Sequence, residues 1–193
     1  SSEILEKYNK NISAEQILQA VQILNLLGVN VDLTLITITP DTTCEDLLVN
    51  IEFIINNHLE SFIPADQFLR RLVIFPKSKL TFSKVSFFSK ENIPDWFTKA
   101  NYYELNQKKT REFVSFMNKW LPIWMEKSQR LVKDQKKIFL LIQMKKRLQR
   151  VFYKVLYKVL NQFIVQDIYE DFLLDVDSLA NKYIMEDIVY DTK

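Results

Sequence analysis

The chain has 193 residues, 48% hydrophobic and 26% charged, with a formal net charge of +2. That supplies a core and argues against disorder. One glycine (Gly28), one histidine (His58) and one cysteine (Cys44) exclude a glycine-rich phosphate loop and an internal disulfide, and leave a zinc site too few ordinary ligands.

In chain order, Ser13 and Gln16 form a capping box, and Ile17, Leu18, Val21, Leu24 and Leu27 follow at helical spacing. Gly28 ends that helix in the left-handed manner. Residues 29–38, VNVDLTLITI, are rich in β-branched side chains and predict a strand. Val31, Leu33, Leu35 and Thr37 share one face, which helices should cover. Asp32, Thr34, Ile36 and Ile38 share the other, as in a barrel interior near a ligand. Pro40 stops the strand. Thr43 caps a second helix, with Asp46 three residues on and an apolar stripe through Leu47, Leu48, Ile51, Ile54 and Ile55. Cys44 and His58 share this helix fourteen positions apart, roughly 21 Å by helical rise. A Cys–His catalytic pair is therefore excluded, and both read as structural.

Residues 70–75, RRLVIF, predict a second short strand closed by Pro76. Helix–strand–helix–strand with crossover-length connections predicts an α/β sheet or barrel. Residues 77–106 are mixed, with FSKVSFF and PDWF suggesting a packed loop or short helices. From about Gln107 the chain reads as helical, with Pro122 starting or kinking a helix. Leu141, Met144, Leu148, Phe152, Val155, Val159 and Phe163 make one apolar stripe.

Charge divides unevenly. Residues 108–158 hold fifteen Lys or Arg against three acids, and 159–193 hold eight acids against two lysines. A solvated basic face lying partly against the acidic tail accounts for this better than nucleic-acid binding, because the cations are spread around a helix. The tail segment DIYEDFLLDVD lacks the spaced ligands and turn glycine of a calcium loop. No run reaches eighteen apolar residues and the first ten residues lack signal-peptide order. With one thiol, suited to a reducing compartment, a cytoplasmic protein without membrane contact is expected.

The ordered series Leu5, Asn9, Lys10, Ile12, Gly28, Ile36, Pro40, Thr42, Thr43, Glu45, Asp46, Leu47, Asn50 and Phe53 resembles the second half of a radical S-adenosylmethionine enzyme core. The Pro-x-Thr-Thr wording is most similar to the cobalamin-binding branch, and LRRLVIFPKSKL is similar to the next family segment, with Lys77-Ser78 in place of Gly-Thr. The resemblance covers about residues 1–80. It implies half of a (β/α) barrel over 1–80, and the residues themselves add a packed loop or linker over 81–106 and a helical extension over 107–193. It places Ile36 and Ile38 against S-adenosylmethionine and Asp32 and Thr34 at the substrate cavity. The complete enzyme would use S-adenosylmethionine and a [4Fe-4S] cluster, with cobalamin as a further cofactor. The cluster needs a cysteine triad that this chain lacks.

The resemblance therefore implies a carboxyl-terminal region that is inactive alone and contributes to cofactor and substrate binding. A complementary amino-terminal half, a second copy, or the carboxyl-terminal helices folded across the gap would cover the open strand edge. The alternative is a non-catalytic interaction module that binds a protein partner through its basic amphipathic helices.

Overall fold

Ser13 and Thr43 close the two capping boxes that the sequence specifies. Ser13 Oγ accepts from the Gln16 N–H at 3.2 Å while the Ser13 N–H donates to Gln16 Oε1 at 2.8 Å. Thr43 and Asp46 repeat the exchange at 3.0 and 2.9 Å. Each box satisfies donors that the first helical turn leaves open. The computed structural model describes residues 11–29, 31–72, 103–133, 138–166 and 172–189.

Among the described residues five α-helices follow in order: α1 (Ala14–Leu26), α2 (Cys44–Asn56), α3 (Lys108–Lys133), α4 (Ile138–Val165) and α5 (Phe172–Ile184). Two short 3₁₀ turns, Glu60–Phe62 and Ala65–Gln67, come after α2, and a π turn, Met185–Val189, extends α5. Gly28 ends α1 at φ +71°, and the Val29 N–H reaches the Leu24 carbonyl at 2.9 Å. A Cβ there would meet nothing within 4 Å, so the backbone angle alone favours glycine.

Helix α4 is the axis of the molecule. Val151, Phe152, Tyr153, Val155, Leu156, Val159, Leu160 and Phe163 are all buried. At about 100° per residue they wrap more than half of the helix circumference. A face that wide cannot be covered by one neighbour, and α2, α3, α5 and the Glu60–Phe62 turn all pack on it. The aromatic layer between α3 and α4 is specific: Trp120 stacks on Phe152 at 5.7 Å, and Phe113 meets Phe163 edge-on at 5.3 Å. Among the described residues the buried side chains form one core cluster that includes Val21 and Ile184. Tyr153 reaches across it to donate to the Ile63 carbonyl at 3.2 Å.

The expected α/β partial barrel is corrected: the molecule is a helical bundle. Among the described residues the only β pairing is one isolated parallel bridge between Ile38 and Arg71. Its bonds run from the Ile38 N–H to the Arg70 carbonyl (3.3 Å) and from the Leu72 N–H to the Ile38 carbonyl (2.8 Å). The 31–37 segment lies on the bundle, with the odd-numbered residues at least half-buried and the even-numbered ones exposed. It forms no ladder, because the Leu33 N–H donates to Phe62 in a 3₁₀ turn at 2.7 Å rather than to a strand. Alternation thus specifies a half-covered extended segment, here held by the 3₁₀ turns after α2 and not by a neighbouring strand. Residues 73–75 of the second expected strand, and the segments FSKVSFF and PDWF, lie outside the described residues.

Of the two expectations for Pro122, the helix start is corrected: it sits inside α3 on the exposed side and neither starts nor ends the helix. Phe113, Met117, Trp120 and Trp124 are buried on the opposite side. Their packing outweighs the one backbone bond that proline removes.

Candidate functional site

The four residues expected to bind cofactor and substrate do not converge. Asp32, Thr34 and Ile36 point to solvent along the extended segment. Ile38 is completely buried, and its carbonyl is occupied twice, by the Leu72 N–H and by the Tyr103 hydroxyl at 2.9 Å. Arg71 completes this corner: it donates to the Tyr103 carbonyl at 2.9 Å and lies over the Tyr103 ring at 5.6 Å. Thr42, buried, accepts from the Thr39 N–H at 2.8 Å in the turn after Pro40. These groups are structural and mutually satisfied.

A hollow with an apolar floor lies elsewhere. The second half of α3, the first half of α4 and the turn at Pro64 and Ala65 enclose a cleft of about 480 Å³, within the size range of ligand and side-chain pockets. Trp124, Met125, Val132 and Leu148 give it an apolar floor. Lys133 stands at one lip, on the last turn of α3, and Lys145 at the other, on α4. Both are exposed, and neither forms an ion pair among the described residues. Asp66, Gln129 and Gln149 supply further polar rim groups.

Two other cations, Lys127 and Lys154, are paired internally. Lys127 bonds Asp177 and, at 2.9 Å, Asn181 of α5, while Lys154 meets Asp187 at 2.7 Å. The acidic tail therefore takes up part of the basic surface, and the lysines beside the cleft keep their charge available. Sequence reasoning singled out Leu148 for the core and missed Trp124, Met125 and Val132. The recurrence of Phe113, Met117, Trp120 and Trp124 at helical spacing was the signal that could have found that face.

The residues present do not fit the implied iron–sulfur cluster or cofactor site. Cys44 is buried, hydrogen-bonded to Thr110 Oγ1 at 3.9 Å, and burial pushes its thiol pKa up. A cluster ligand must be a thiolate, and three are needed. Among the described residues no group of three His, Cys, Asp or Glu side chains could hold a metal. Ile36 and Ile38 do not share an accessible surface, so no contact with S-adenosylmethionine follows from them. His58 is exposed at the end of α2, remote from Cys44 along the helix. Among the described residues no helix is long and apolar enough to cross a membrane. Comparison with protein-family models, with curated proteins and with solved structures finds no match to this chain.

Proposed function

We propose that the chain is a non-catalytic interaction module whose basic helices dock a protein partner, and that the docked element is an amphipathic helix with an acidic rim. The observation that carries this reading is the cleft itself, an apolar floor between two helices with a lysine at each lip. Apolar side chains of a partner would leave water there, each contributing about 1.5–3 kcal/mol when fully buried. Acids flanking them would meet Lys133 and Lys145. The fifteen-to-three excess of basic residues over 108–158 favours the same sign of partner.

The expected complementary half or second copy had its physical reason in an open ring of strands, which the described residues do not form. The exposed apolar end of α1, with Leu26 and Leu27, offers neither a groove nor a charge pattern that specifies a partner.

Panning a random peptide library against the full chain tests the proposal. Enriched sequences should carry aliphatic or aromatic residues at i, i+3 or i+4 spacing flanked by Asp or Glu. Their affinity should fall about tenfold or more in Lys133→Glu/Lys145→Glu. Enrichment of basic sequences, or equal binding by that variant, contradicts the reading.

A further inference from the structure

The first turns of α4 carry a second feature that the cleft does not use. Phe139, Leu140 and Ile142 are 68%, 44% and 47% exposed. Phe139, Ile142, Lys146 and Arg150 recur at i, i+3, i+7 and i+11, which places them on one outer face of the helix. The inner face at this level is formed by Met144 and the buried Leu148. Lys146 and Arg150 are exposed and form no ion pair among the described residues. Over 133–150 the sequence holds seven Lys or Arg and a single acid, Asp134.

Exposed aromatic and branched aliphatic side chains are disfavoured in water, and unpaired cations favour an anionic neighbour. An anionic bilayer surface offers both at the required depth: acyl chains below, negatively charged headgroups directly above. The face is convex and borne by one helix; Phe139 and Ile142 lie on it and Leu140 about 100° around from Phe139, too few apolar side chains for a stable protein interface of standard size. They suit shallow, reversible insertion, in which the apolar end of the helix enters and the next two turns present cations to the headgroups.

We propose that the first turns of α4 form a reversible contact with anionic membrane surfaces. Phe139, Leu140 and Ile142 enter the headgroup–acyl boundary, and Lys146 and Arg150 meet the anionic headgroups. The contact is peripheral and differs from the absence of membrane contact expected from sequence, an expectation that addressed only spanning segments and leaders. It does not depend on the cleft, whose contributions from α4 are Lys145, Leu148 and Gln149.

Co-sedimentation of the full chain with vesicles tests it. Vesicles of phosphatidylcholine with about one-third phosphatidylserine should bind at least about tenfold more protein than phosphatidylcholine alone, and added salt should weaken the binding. Phe139→Ser/Leu140→Ser/Ile142→Ser and, separately, Lys146→Glu/Arg150→Glu should each lower binding about tenfold, with the helical circular dichroism and melting temperature kept. No preference for phosphatidylserine at low salt overturns the proposal, as does undiminished binding by the triple serine variant. If the vesicles are ignored while the triple serine variant loses an acidic peptide selected by panning, the face docks protein and the lipid contact is wrong.

Discussion

Tyr153 and Cys44 are ionisable groups that the fold holds neutral. Burial pushes both pKa values up: the phenol within the core beside the Ile63 carbonyl, the thiol against Thr110. Both are acids with raised folded values, so the stability they contribute is complete below their unfolded values and is lost as pH rises through the folded ones. The melting temperature should be level from about pH 7 to 8.5 and fall above about pH 9, as thiol and then phenol ionise on unfolding. Cys44→Ala should flatten the first part of that fall; an unchanged profile in the variant would show the thiol to be irrelevant. His58 offers a second check at this scale. It follows α2 at φ +54° with its side chain exposed, a left-handed angle that glycine adopts without the steric cost of a Cβ. His58→Gly should leave stability unchanged or raise it by up to about 1 kcal/mol, and His58→Val should lower it by about 1 kcal/mol or more, read by urea unfolding. The sequence pointed to structural roles for Cys44 and His58. It could not show that Ile38 would be buried and Ile36 exposed, because that depends on Tyr103, sixty-five residues further along.

Helix starts were the most legible elements, since Ser13-x-x-Gln16 and Thr43-x-x-Asp46 carry their partners within four residues. Thr43→Ala should cost about 1 kcal/mol, because it leaves first-turn donors of a helix whose inner face is fully buried without a partner. Pro122 was expected to start or kink a helix, and the aromatic face of α3 carries the helix through it. The carbonyl of Asn118 loses its usual α-helical donor at that point. Pro122→Ala should restore the bond and raise stability by about 1–3 kcal/mol; a loss would mean that the proline shapes the α3–α4 contact. Residues 31–38 show the limit of a local reading. Period-two alternation reports which side is covered, and it does not report whether the neighbouring backbone is a strand or a 3₁₀ turn.

At the scale of the whole molecule, the apolar stripe on α4 was visible in sequence, but its breadth was underread. Val151, Tyr153, Leu156 and Leu160 widen it to a face that needs several partners, and that width draws α2, α3 and α5 around one helix. The charge division between 108–158 and the tail was equally visible; which lysines the tail would neutralise was not, since that depends on where α5 docks. The cleft and the apolar face at the start of α4 are what this packing leaves outside. Both functional proposals therefore rest on α4, not a sheet, being the centre of the fold. Amide hydrogen exchange on the full chain tests this directly. Amides of residues 151–160 should exchange slowest, at rates set by global unfolding, and those of 34–36 at least about a hundredfold faster. Protection of 31–38 and 70–72 equal to that of α4 would mean a paired sheet in the core and would contradict the account.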